Sequence, residues 1–285
     1  MSRIEVVKVD TGTLNKRHSV HTTVKRGVPQ VRTRATLRQL GFWYVLGLCI
    51  IKPFIWLTMR QDWRGMEHVP ARGGVILAAN HISHVDPIAL ADFFVFGIGR
   101  PVRFLAKASM FEGNGLVPSV MRGAKQIRVH RQTDDASLAL RDAVEALRHG
   151  EAIGIYPEGT VSRDPDKWPM VAKTGVARLA LLSGAPVIPI AQWGAQDILD
   201  SHRRKGFHLF PKHTMQIVAG PPVDLSAYEG QELTAEVLRA ATADVMLAIT
   251  RLLEPLRGAA AGTVVYDPKT APSAVDDIRD IRGTA

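Results

Sequence analysis

From about Trp63 the chain alternates between short apolar runs and stretches with helical spacing. The runs at 75–79, 102–105, 126–129, 152–156, 187–190 and 215–219 are rich in Val, Ile and Ala, the texture of strands buried on both faces. Between them the clearest helix starts after Thr133, with Asp134 and Asp135 at its positive end and Leu138, Val144 and Leu147 on an apolar face. Arg148 and His149 followed by Gly150 read as its stop. A second helix is expected from about Thr174 to Ser183 with Gly184 as its cap, and a last one over 232–256, where Leu233, Val237, Leu238, Val245, Met246, Ile249 and Leu253 recur. Strands alternating with helices predict an α/β domain with a largely parallel sheet.

Ahead of this domain, residues 41–59 form an apolar stretch rich in aromatics and interrupted by Lys52 and Pro53. A lysine near the centre of a spanning helix costs roughly 2.5–3.5 kcal/mol, and a proline removes a rung of the backbone ladder. The expectation is two short helical pieces lying in a membrane interface, with Trp43, Tyr44 and Trp56 at headgroup level. A buried helix hairpin packed on the domain is the alternative. Because the stretch starts about 40 residues in and no small-residue site follows it, a cleavable secretory signal is not expected.

Charge sharpens this picture. Of 36 basic and 27 acidic residues, residues 1–40 hold nine basic ones against Glu5 and Asp10, a local charge of +7, so the remaining 245 residues carry only +2. A basic arm attracts anions, either nucleic acid or acidic lipid headgroups, and the apolar stretch that follows it favours the membrane. The boundaries are therefore a basic arm over 1–40, a membrane-associating segment over 41–60, a catalytic domain over 61–257 and a loosely docked tail over 258–285, with no internal repeat. A single cysteine, Cys49, rules out an internal disulfide and a cysteine-based metal site, and permits a reducing compartment.

The chemistry concentrates just after the first β run, at Asn80, His81, Ile82, Ser83, His84, Val85 and Asp86. Residues five apart share a helix face poorly, so His81 and Asp86 meet if the chain turns after the strand and Asp86 opens a helix. The carboxylate would then hold one imidazole nitrogen and leave the other as a base. Asn80, His81 and Ser83 also suit a plain helix cap. His84 is treated as accessory, and no further ligand at regular spacing supports a zinc site.

Asn80-His81-x4-Asp86 after a strand resembles the first signature block of the glycerolipid acyltransferases, particularly the 1-acylglycerol-3-phosphate acyltransferases. Lys107 to Phe111 followed by Gly123 to Arg131 is similar to their second block, Tyr156-Pro157-Glu158-Gly159-Thr160 to their third, and Val187-Ile188-Pro189 to their fourth. All four stand in the family's order across 75–190, and Lys173 with Gly175 matches an intervening Lys-x-Gly element. The resemblance implies a mixed sheet flanked by helices, with an N-terminal membrane-binding segment.

It also implies roles. His81 would take the proton from an acceptor hydroxyl as that hydroxyl attacks a thioester, and Asp86 would orient the imidazole. No acyl-enzyme is needed, in keeping with the lack of a Gly-x-Ser-x-Gly elbow. Arg131 would fork onto a phosphate, with Lys107 and Lys173 as secondary anion contacts. Glu158, Gly159 and Thr160 would meet the acceptor, Glu158 through its hydroxyls or by holding Arg131. The family often places an arginine right after the Thr, where this chain has Val161, and Arg163 two positions later is the candidate substitute. Phe111, Leu116 and Val117 fit either an acyl groove or plain core.

The implied reaction moves a fatty acyl group from acyl-CoA or acyl-carrier protein to the free hydroxyl of 1-acylglycerol 3-phosphate, giving phosphatidic acid in phospholipid biosynthesis. No metal or bound organic cofactor is implied, and the place of action would be the cytoplasmic side of the cell membrane, held peripherally or monotopically. Arg203-Arg204-Lys205 would suit an acidic carrier protein, or is an ordinary solvated loop. Three other readings stay open: the same chemistry on another lysophospholipid, a glycolipid or an amine-containing lipid; a nucleic-acid-binding protein, disfavoured by the absence of an interleaved basic and aromatic motif or zinc finger; and a non-catalytic lipid binder, disfavoured by the intact His81 and Asp86.

Overall fold

The computed structural model describes residues 41–129, 135–201 and 206–270, the side chains of residues 135–137 excepted. The basic arm, Arg131, the cluster at 203–205 and the end of the tail lie outside the described residues.

The chain enters as α1 (Phe42–Thr58) and runs directly into β1 (Met59–Arg64), then β2 (Val75–Ala79), α2 (Asp86–Asp92) with a π-helical extension over Phe93–Ile98, and β3 (Val102–Lys107). It continues through α3 (Leu116–Gly123), β4 (Ile127–Val129), α4 (Asp135–Arg148), β5 (Ala152–Ile155), α5 (Gly175–Ser183), β6 (Val187–Trp193), α6 (Ala195–Ile198), β7 (His213–Ala219) and α7 (Ala235–Arg257). The seven strands form one sheet in the order β1-β7-β6-β2-β5-β3-β4. Every pairing is parallel except β6 with β7.

Central β2 shows why its sequence is apolar without alternation. Val75, Leu77 and Ala79 enter one core, with Ile55 of α1 and Leu90 of α2. Ile76 and Ala78 enter the other, formed with α4, α5 and α7. All five residues are buried, as expected of a strand covered on both faces. On α4 the buried positions are Ala139, Ala143, Val144, Ala146 and Leu147, while Leu138 is 51% exposed. Ala139, Ala143 and Leu147 recur every four residues, and a neighbour one residue away points off that face. Thr234 caps α7 by accepting from the Val237 N–H at 3.2 Å, and Gly258 closes it in the left-handed region.

One expectation is corrected here. Residues 42–58 make one continuous helix with Pro53 inside it, not two pieces. The proline removes only the bond to the Cys49 carbonyl, and packing of the helix holds it together: Ile55 is 1% exposed, and Gly47 presses against Val120 of α3. Lys52 is not stranded in an apolar surface either. Its Nζ lies 2.7 Å from Oδ1 of buried Asp92, which also accepts from Gln61, and 4.2 Å from the Phe96 ring centroid. A strand that the sequence reading did not name is β1, a polar edge strand whose existence depends on its parallel pairing with β7. Among the described residues no helix is long and apolar enough to cross a membrane.

Candidate active site

The site forms where β2, β5 and β6 end side by side. Directly after β2, Asn80 locks onto β6: its Oδ1 accepts from the Gln192 N–H at 2.9 Å, its Nδ2 donates to the Gln192 carbonyl at 3.1 Å, and its own carbonyl accepts from Gln192 Nε2 at 2.6 Å. Both partners are buried, so this clasp fixes where the next residue, His81, begins.

His81 is then held on both sides of its backbone by the loop after β5. Its N–H donates to Glu158 Oε1 at 3.0 Å, and its carbonyl accepts from the Ser162 N–H at 2.6 Å. The chain turns and Asp86 opens α2, with Pro87 in the first helical turn. One carboxylate oxygen, Asp86 Oδ2, accepts three bonds: from His81 Nδ1 at 2.9 Å, the Ile82 N–H at 2.6 Å and the Ser83 N–H at 2.8 Å. An ionised carboxylate can only accept, so Nδ1 carries the proton and Nε2 is left with a lone pair. Asp86 is fully buried and the His81 side chain is 12% exposed. The pair is therefore shielded on the carboxylate side and open on the imidazole side.

The imidazole looks into a cavity of about 1210 Å³. Tyr44, Leu48 and Ile51 of α1, Val102 and Phe104 of β3 and Val120 of α3 supply much of its apolar wall. Lys107, Arg141, Lys173 and Arg178 also line it, and no carboxylate does among the described residues. Such a wall suits a molecule with an apolar tail and an anionic head.

These features have counterparts in known proteins. Residues 60–193 match the family model Acyltransferase. That segment is similar to an acyltransferase domain. It is similar to the 1-acyl-sn-glycerol-3-phosphate acyltransferase of Borreliella burgdorferi, with 28% identity over 197 residues covering 67% of this chain and 74% of that protein. The protein of the same name from Bacillus subtilis is 28% identical over 160 residues, covering 55% of this chain and 70% of its own. The fold is that of the 1-acyl-sn-glycerophosphate (LPA) acyltransferase PlsC from Thermotoga maritima, whose crystal structure matches with a TM-score of 0.59 at 24% identity, covering 82% of this chain and 86% of that one.

Within the matched segment the motif residues divide into two groups. His81, His84, Lys107, Gly159, Thr160 and Lys173 share the cavity wall. Gly159 has φ +72, which favours glycine, and a Cβ there would lie 3.2 Å from Lys173 Cε, so the lysine lies across the turn. Glu158 belongs to the second group. It is 4% exposed, and its oxygens accept from the backbone N–H groups of His81 and Met170, each at 3.0 Å. It ties two loops together instead of facing the cavity, and burial pushes its pKa up to about 8. Arg163 is exposed and absent from the cavity wall, while Val161 in the family's arginine position is buried.

The second signature block ends at Arg131, outside the described residues. Of the residues open to groove or core, Phe111 is buried, and Leu116 and Val117 are 53% and 55% exposed. Tyr44, expected at headgroup level, turns its hydroxyl inward. Its hydroxyl donates to the Val102 carbonyl at 3.5 Å and accepts from the Val102 N–H at 3.3 Å, and its burial raises its pKa to about 12.

Arg141, Arg178 and Gln192 escaped the sequence reading, and Tyr156 entered it only as part of the third signature block. Arg178 follows the Lys173-x-Gly175 element by three residues, one turn into α5, and that spacing was the available signal. Gln192 stands near the end of an apolar strand, three residues beyond the Val187-Ile188-Pro189 block, which gives it no role. Among the described residues no three His, Cys, Asp or Glu side chains are grouped as metal ligands would be.

Proposed function

We propose that this protein transfers a fatty acyl group from acyl-CoA or acyl-carrier protein to the free hydroxyl of 1-acylglycerol 3-phosphate, producing phosphatidic acid for phospholipid biosynthesis. The observation that carries the reading is the His81–Asp86 pair, 2.9 Å apart, with the imidazole in the wall of a largely apolar cavity that also holds four cationic side chains.

The chemistry follows from the protonation state of that pair. His81 Nε2 accepts the proton of the acceptor hydroxyl while its oxygen attacks the thioester carbonyl carbon. The new ester forms as the C–S bond breaks, and the proton passes from the imidazolium to the departing thiolate, which leaves as the thiol. Asp86 stabilises the transient imidazolium through Nδ1. Lys107 and Lys173 attract the acceptor phosphate, with Arg131 as the forked partner the family resemblance assigns. The acyl chains occupy the apolar wall. The reaction so written takes its acyl donor as co-substrate and calls for no metal or organic cofactor.

Membrane docking belongs to the same reading. On α1, Phe42, Ile50, Trp56 and Leu57 are 72%, 50%, 71% and 45% exposed, while Tyr44, Leu48 and Ile51 on its other side line the cavity. A helix that is apolar outside and lines the substrate cavity inside would let a lipid acceptor pass between bilayer and site. Peripheral or monotopic attachment to the cytoplasmic face of the cell membrane is the arrangement we assign. The similarity to the acyltransferases of Borreliella burgdorferi and Bacillus subtilis supports the acceptor.

A panel assay tests the proposal. Purified protein is given an acyl-CoA and, separately, an acyl-carrier protein, with 1-acylglycerol 3-phosphate against phosphate-free lysolipids. Product only on the phosphate-bearing acceptor is the expected result. Equal product on phosphate-free acceptors moves the assignment to another lysolipid, and no product on any of them returns it to lipid binding.

A further inference from the structure

The loop that leads into β7 leaves two large aromatic side chains in solvent. Phe207 is 60% and Phe210 64% exposed, yet the loop that carries them is firmly seated. The His208 N–H donates to the Ile198 carbonyl at 2.8 Å, and Leu209, between the two phenylalanines in sequence, packs against the core that Ile55 of α1 enters. At the end of the loop Lys212 Nζ donates to the Trp56 carbonyl at 2.6 Å and lies 4.9 Å from the Trp56 ring centroid. That carbonyl belongs to the last turn of α1, where carbonyls lose their helical partners. One lysine therefore closes the helix and fastens the loop to it.

Sheet topology brings this loop to the edge where His81 stands. β7 runs antiparallel to β6 and β1 runs parallel to β7, so both strands start at the edge where β2, β5 and β6 end. β1 follows α1 without a linker, β7 follows the loop directly, and the two begin as the pair Met59 and His213. Trp56 and Phe210 each stand three residues ahead of that pair. The turn that carries His81 is joined to the segment just before the loop, since Ser83 Oγ donates to the Leu199 carbonyl at 2.7 Å and the His84 N–H to Ser201 Oγ at 2.9 Å.

On α1 the outward residues Phe42, Cys49, Ile50, Pro53, Trp56 and Leu57 are exposed and none is charged. The loop continues this stripe with Phe207 and Phe210 and adds His208 and Lys212, and residues 206–212 contain no acidic side chain. Single exposed apolar residues are ordinary, whereas a joined apolar band edged by a cation marks a surface that meets a partner. Aromatic rings beside a lysine whose stem lies over apolar surface fit the interface of an anionic membrane. We propose that the loop over 206–212 is a second membrane-contacting element, which sets Phe207 and Phe210 into an anionic bilayer surface beside the C-terminal end of α1, with Lys212 at the headgroups. A helix lying along the interface and a loop at its end together fix how the domain is turned on the bilayer, and hold the cavity edge towards it. The proposal rests on the membrane attachment assigned above and adds the second contact to it.

Vesicle sedimentation and a fluorescent label separate the two contacts. Full-length wild type and the double variant Phe207→Ser with Phe210→Ser are sedimented with phosphatidylcholine vesicles with and without phosphatidylglycerol. The double variant should bind the anionic vesicles about tenfold or more weakly while melting at the wild-type temperature. In parallel, a nitrobenzoxadiazole label is attached through Phe210→Cys in a Cys49→Ser background, and through the exposed native Cys49 on α1 in the wild type. Both labels should shift to the blue on anionic vesicles, and the label at position 210 decides the matter if the double variant melts early. A shift at Cys49 with none at position 210, or a double variant that binds as wild type does, overturns the role of the loop and leaves docking by α1 standing. No vesicle binding by wild type and no shift of either label overturns both readings. A shift at position 210 caused by acyl-carrier protein, or by raising the protein concentration without lipid, also overturns the proposal and gives the surface to that partner or to a second copy of the chain.

Discussion

Glu158 Oε1 accepts the backbone N–H of His81 at 3.0 Å while Oε2 of the same side chain accepts the Met170 N–H. The glutamate of the Pro-Glu-Gly-Thr block is thus a brace for His81. Its burial, the largest cause, raises its pKa to about 8 from a usual value of 4.5, against the lowering effect of the two N–H donors. A carboxyl that binds its proton more tightly when folded stabilises the fold fully below about pH 4.5, and this contribution is lost as pH rises towards 8. Melting temperature should therefore fall across that window in the wild type. Glu158→Gln should flatten that dependence and, because an amide nitrogen then faces an N–H, cost about 1–3 kcal/mol near pH 5 by denaturant titration.

His81→Ala should reduce kcat by about 10²- to 10⁴-fold with little change in KM, because it removes a proton acceptor that acts in the transition state. Asp86→Asn should give a loss of similar order. It should change the melting temperature much less, because the amide oxygen can take the place of Oδ2 and keep its three donors, with the amide nitrogen at the unpartnered Oδ1 position. Steady-state kinetics and thermal melts on both variants check this.

Lys173→Ala and Arg178→Ala test the cationic wall. Each should raise KM for a phosphate-bearing acceptor by about three- to thirtyfold with smaller effects on kcat, since a charge contact present in both ground and transition state is uniform binding. Raising the salt concentration should mimic part of the effect in the wild type.

Trp56→Ser combined with Phe42→Ser should weaken sedimentation with anionic vesicles by about tenfold or more, because two large exposed side chains leave the outer face of α1. Activity on detergent-dispersed acceptor should change far less. Vesicle binding equal to wild type would remove α1 as the docking surface.

Much of this architecture is legible in the chain because its strands are buried on both sides. Runs such as Val75–Ala79 have to be apolar at every position, since alternate residues enter two different cores. The helices α4, α5 and α7 carry their own caps and spacing, and the His81–Asp86 separation is intelligible as a turn plus a helix start. Local sequence rules reach these features because they are set by neighbours a few residues away.

Tertiary structure decided the rest. Polar β1 is a strand only because β7 offers a parallel edge, and Pro53 stays inside α1 because α3 and the core pack against that helix. Tyr44, an interfacial candidate by its surroundings in sequence, turns inward to the Val102 backbone. Glu158 reaches the histidine 77 residues away and Gln192 reaches Asn80 across 112 residues. Those bonds depend on which strands lie side by side, a choice made by the burial of the whole sheet that no local pattern records.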